Sequence, residues 1–184
     1  MSSRLSSLSW RMALRQKVAR LKKRDRAVKV AVIGVGQELC GDDAAGAYVA
    51  DRLRSSQSPA PAKCSEADRP AVELFVLNGE SAPENCTGRL RRFAPDLVLF
   101  VDAAEMGQPP GTVRTLDLST ATGFGASTHS VSLGVLGSFL TCQLGCETVL
   151  LGLQPGSTAF GTPLTAPVRR AADQLVLVLS QLAR

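Results

Sequence analysis

Aromatic side chains are scarce in this chain, with six Phe, one Trp and one Tyr among 184 residues. A core must therefore be built mainly from Val, Leu and Ala. Histidine is scarcer still: His129 is its one occurrence, so no HExxH pair of metal ligands sits on one helix. The five cysteines (Cys40, Cys64, Cys86, Cys142, Cys146) include no CxxC pair. An odd set without that spacing argues against a structural zinc site or a disulfide framework, and fits a reducing cytoplasm. No apolar run reaches the length needed to span a bilayer, so stable membrane insertion is not expected.

Acid is missing from the first 24 residues, which carry eight Lys or Arg. The remainder holds 13 basic and 16 acidic residues, so the formal charge of +5 hides a basic arm on a mildly acidic body. A body of that sign gives no support for a surface that reads nucleic acid. Within the arm, residues 1–27, Leu14, Val18 and Leu21 recur at helical spacing. Its Arg- and Ser-rich character fits a targeting peptide, and its basic helical pattern a membrane-surface or partner helix. The plainer expectation is a basic, solvated helix lying on the domain edge.

Beyond the arm, strands alternate with helices. VKVAVIGV (28–35) is a β-branched run of the kind buried on both faces of a parallel sheet. Asp42 or Asp43 caps a helix through about Arg54, and a Ser/Pro/Ala-rich loop occupies 55–70. Strands are expected at 71–78 and 96–102, with a short helix at 82–95 between them. The alternating stretch 111–118 reads as an edge or antiparallel strand. A Gly/Ser/Thr-rich loop at 119–128 leads to His129 and a helix over 131–145. A fifth strand at 147–155 and a helix over 167–183 complete the pattern. The fold class is α/β: a three-layer αβα sandwich with a twisted, mostly parallel five-stranded sheet in one domain, 28–184. Nothing in the sequence demands more than a monomer.

The stretch IGVGQELCGDDAAG (33–46) offers two chemistries. A P-loop requires Lys and then Ser or Thr after its last glycine, but Gly41 is followed by two acids that would repel phosphate. A dinucleotide fingerprint requires a small residue where Leu39 stands. Metal is the better reading. Capping accounts for one acid, and Asp42 is the better candidate for it, which leaves Asp43. Asp102 closes the buried run VLFV, where an acid either caps a turn or points into the crevice where open α/β sheets bind ligands. His129 starts a helix after a polar loop. Asp43, Asp102 and His129 form a half-shell for a divalent transition metal, with positions left open for substrate. A serine triad of Ser127 or Ser130 with His129 and Asp102 is the competing use. No GxSxG elbow supports it, and those serines flank the histidine too closely.

The stretches GVGQELCGDDAAG (34–46), NGESAPEN (78–85), LVLFVDAAEMGQPPG (97–111), STHSVSL (127–133) and LLGLQP (150–155) together resemble the hydrogenase maturation endopeptidases. The SAPEN, DAAEMG and GLQP segments look most like the formate-hydrogenlyase-type branch. The resemblance covers about 28–184 and leaves the arm outside. It implies an enzyme that removes a C-terminal extension from the large-subunit precursor of a [NiFe] hydrogenase. It also implies that Asp43, Asp102 and His129 contact nickel already held by that precursor, with no tightly bound metal of the enzyme's own. A non-cleaving, nickel-checking or chaperone homologue is the alternative. Two positions depart from the family's usual residues. Gln37 replaces Asn, and Asn78-Gly79-Glu80 replaces Asp-Gly-Gly.

Overall fold

The computed structural model describes residues 3–22, 26–57, 71–116, 118 and 130–183. Ten regular elements run in the order α1 (Ser3–Leu21), β1 (Val28–Val35), α2 (Ala45–Ser56), β2 (Val72–Glu80), α3 (Thr87–Phe93), β3 (Leu97–Ala103), β4 (Val113–Leu116), α4 (Ser130–Leu144), β5 (Glu147–Leu153) and α5 (Ala166–Ser180). The five strands form one sheet in the order β2-β1-β3-β5-β4. All neighbours are parallel except β4, which runs antiparallel to β5 at the edge. The alternation in 111–118 therefore marks an edge strand that is also antiparallel.

Side-chain alternation along the central strands divides the core into two layers. Val30 and Val32 of β1 face one side with Val49 and Leu53 of α2 and Val168 and Leu175 of α5. Ala31, Ile33 and Val35 face the other, with Leu90 of α3 and Leu133 and Leu140 of α4. The result is the expected αβα sandwich. Every residue of β3 is buried, Asp102 included.

The chain turns opposite ways from β1 and β3. From β1 it crosses through α2 to β2 on one side, and from β3 it proceeds to β4 and β5 on the other. The crevice beyond the carboxyl ends of β1 and β3 is thus the topological switch point, where ligands of open α/β sheets bind.

Helix α1 is more deeply engaged than an edge-lying solvated helix. Trp10, Leu14 and Val18 are buried in the same apolar cluster as α2 and α5, while Arg15, Arg20 and Lys22 face solvent. Arg11 donates to Gln174 of α5 at 3.1 Å, and Lys17 pairs with Glu147 at the start of β5. Trp10, on its apolar stripe, is one of the largest fully buried side chains among the described residues. Among the described residues, no helix is long and apolar enough to cross a membrane.

Candidate active site

Between β1 and α2 the backbone makes two close approaches that only glycine permits. Gly36 has φ +130, and a Cβ there would lie 1.8 Å from the carbonyl oxygen of Asp43. Gly46, in the first turn of α2, would place a Cβ 2.0 Å from the Val101 carbonyl and 2.2 Å from that of Val35. Helix α2 therefore rests backbone to backbone on β1 and β3. The glycines that resemble a phosphate loop serve to press the helix start against the sheet.

The two acids at that helix start do different work, and neither caps the helix. Residues Gly41–Ala44 form a 3-10 turn, and α2 begins only at Ala45, with no side-chain cap on its N-terminus. The capping expected of Asp42 is absent because its carboxylate is turned the other way. Fully buried, it accepts hydrogen bonds from the N–H groups of Gly156 (2.7 Å), Ser157 (3.0 Å) and Thr165 (2.6 Å) and from the Thr165 hydroxyl (2.9 Å). Four donors satisfy a buried carboxylate. Asp42 thereby staples the loop between β5 and α5 to the turn after β1.

Asp43 is half-buried and accepts the backbone N–H of Gln37 at 2.7 Å through Oδ2. Its position rests on the peptide of residue 37 and not on that side chain, which is exposed. The replacement of Asn by Gln therefore leaves this contact intact. Asn78 has a local reason as well. Its amide donates towards both oxygens of Asp51 in α2, at 3.3 and 3.4 Å, where a carboxylate would be repelled. Glu80 takes a left-handed φ of 49, a conformation that suits glycine better. Its carbonyl accepts the N–H of Gly36 at 2.9 Å, which ties β2 to the same turn.

Asp102 is fully buried, and both of its carboxylate oxygens lack a hydrogen-bond partner among the described residues. Burial pushes its carboxyl up to about 8, the nearby charge of Asp43 adds to the rise, and the backbone N–H of Ala103 partly opposes it. Isolated in this way, a carboxylate is held protonated or waits for a cation. The structure thus brings Asp43 and Asp102 to one crevice, as expected from their places at element ends. His129 and Ser127 lie outside the described residues. Among the described residues no three His, Cys, Asp or Glu side chains come together to hold a metal ion.

Gln154, just past β5 in the GLQP segment, carries no role legible from the sequence. It is 3% exposed. Its Oε1 accepts the N–H groups of Met106 (2.7 Å) and Gln108 (3.2 Å), and its Nε2 donates to both Glu105 oxygens at 2.9 Å. One amide therefore fixes the loop that comes after Asp102. Gln154 and Asp42 together bind the loops after β1, β3 and β5 into one frame around the crevice.

The family model described as hydrogenase maturation protease matches residues 62–181. The hydrogenase 3 maturation protease of Escherichia coli K12 is 35% identical over 140 residues, covering 76% of this chain and 81% of that protein. The crystal structure of a [NiFe] hydrogenase maturation protease from Thermococcus kodakarensis KOD1 superposes with a TM-score of 0.72 at 30% identity, covering 85% of this chain and 92% of that one. The solution structure of an endopeptidase from Escherichia coli gives a TM-score of 0.66 at 26% identity, over 84% and 90% of the two chains. With its mostly parallel sheet, its paired crevice carboxylates and these matches, the chain belongs to the hydrogenase maturation proteases, a family of proteolytic enzymes.

Proposed function

We propose that the protein removes the C-terminal extension from the nickel-loaded precursor of a [NiFe] hydrogenase large subunit. Asp43, Asp102 and His129 engage the nickel that the precursor carries, so the metal belongs to the substrate. The observation that carries this reading is Asp102, a buried carboxylate at the switch-point crevice with both oxygens unpartnered among the described residues. An orphan carboxylate of that kind costs several kcal/mol unless a proton or a cation meets it. A cation delivered by the substrate resolves that cost only when it is present.

A divalent ion polarises a neighbouring carbonyl or lowers the pKa of a bound water. The chain's own contribution is to hold the carboxylates. Asp43 keeps one oxygen on the Gln37 N–H and leaves Oδ1 without a partner among the described residues. A carboxylate oxygen not used by the metal accepts the proton of the attacking water. Without nickel the shell is incomplete and empty precursor is spared. The four described cysteines are free thiols, which supports a reducing compartment such as the cytoplasm. The protein acts as a monomer in this reading.

The test is to mix the purified protein with nickel-loaded and with nickel-free large-subunit precursor. Cleavage of the loaded form alone is expected, and cleavage of both or of neither refutes the reading. Cleavage that survives Asp43→Ala or His129→Ala refutes the assignment of the site.

A further inference from the structure

The loop that Asp42 staples carries an exposed aromatic ring. Phe160 is 78% exposed, and Leu39, on the turn after β1, is 58% exposed. The two segments are joined by the hydrogen bond from Gly161 N–H to the Leu39 carbonyl, 2.7 Å long. The turn bearing Leu39 is closed by Cys40 N–H to the Gln37 carbonyl at 3.0 Å, and the Gln37 N–H holds Asp43. Leu39 and Phe160 therefore stand on neighbouring backbone segments at the rim of the crevice.

Folding leaves these side chains largely in water, yet the backbone beneath Phe160 is fixed. Asp42 holds both ends of the loop, and Thr162 closes a turn onto the Ala159 carbonyl through its hydroxyl at 2.7 Å. From Gly156 to Thr165 the loop carries no charged residue, and Glu38 is the one charge on the Gln37–Cys40 turn. A rigid, aromatic-bearing rim with Glu38 as its one charge, beside the crevice carboxylates, is preorganised to anchor an apolar partner.

We propose that Leu39 and Phe160 grip uncharged side chains of the precursor's C-terminal extension beside the scissile bond. This rests on the function proposed above, since it assigns the part of that substrate which the rim receives. The extension is favoured as occupant because the rim is continuous, through the Gln37–Cys40 turn, with Asp43, one of the carboxylates to which the function proposed above assigns the attacking water's proton.

Steady-state cleavage of nickel-loaded precursor by Phe160→Ser and Leu39→Ser tests it. A KM raised about tenfold or more with kcat within about twofold is expected, the signature of a lost binding anchor. Phe160→Leu restores most of the affinity, and all variants melt as the parent does because both residues are exposed. Unchanged KM in both serine variants, or a fall in kcat alone, overturns the proposal. Binding of a fluorescent synthetic peptide spanning the extension, measured on the same proteins, tests the rim even if no precursor is cut. Weaker peptide binding by the serine variants supports it, and equal binding overturns it. Mature subunit lacking the extension should compete equally for parent and Phe160→Ser. A competitor that loses affinity for Phe160→Ser places the folded body on the rim and overturns the extension as its occupant.

Discussion

Replacing Asp102 by asparagine keeps the shape of the side chain and removes its ability to ionise. Between the ordinary value of 3.8 and the folded value of about 8, folded Asp102 retains a proton that the unfolded chain releases. Its contribution to stability is therefore complete below pH 4 and is lost as pH rises through 8, at about 1.4 kcal/mol per pH unit. By pH 7 the loss is on the order of 4 kcal/mol, against a total stability of about 5–15 kcal/mol for a typical domain. Asp102→Asn has no such dependence. Urea unfolding of the parent and Asp102→Asn at pH 4.5 and pH 8 should show the difference between them widening by about 4 kcal/mol in favour of the variant. In a domain of this size that corresponds to a melting difference growing by about 10 °C. The same variant should fail to cleave precursor, since its amide cannot supply a carboxylate to a cation. A stability difference that stays constant from pH 4.5 to pH 8 refutes the account of Asp102 as an isolated buried acid.

Asp42→Ala removes the acceptor of four hydrogen bonds and should cost on the order of 3 kcal/mol, with new proteolytic cuts in the 156–165 loop as the readout. Glu80→Gly relieves a left-handed φ of 49 in an exposed residue. It should raise the urea midpoint by an amount worth about 1 kcal/mol or less, because added freedom in the unfolded chain offsets part of the gain. Trp10→Ala should destabilise the whole domain by about 3–5 kcal/mol in a single cooperative transition, whereas an arm independent of the core would leave the melting temperature unchanged.

The layers of the fold were legible because their signals are local. Continuous β-branched runs such as 28–35 mark buried strands, and the alternation at 111–118 marks an edge. The convergence of Asp43 and Asp102 was legible because both sit at element ends on the carboxyl side of the sheet. The division of labour between Asp42 and Asp43 was only half visible. Sequence shows that one of two adjacent acids is structural, but Asp42 is structural towards a loop more than 110 residues later, a contact that local pattern cannot carry. Gln154 was hidden for a related reason: its partners at Glu105, Met106 and Gln108 are long-range and mostly backbone. Trp10 gives no local signal of its burial, because the surrounding arginines and lysines read as a solvated helix while one face of that helix enters the core.

The glycine contacts of α2 fix something that no side chain in the crevice can adjust. Because Gly46 sits against the carbonyls of Val35 and Val101, the helix start that carries Asp43 and the strand end that carries Asp102 are spaced by main chain alone. Widening the gap between the two acids takes no more than one methyl group at position 46, and no repacking of neighbours can close it again. The width of the crevice is thus a quantity with a hard lower stop. The spacing of Asp43 and Asp102 is written in peptide carbonyls, so side-chain substitutions elsewhere around the crevice leave its gauge fixed.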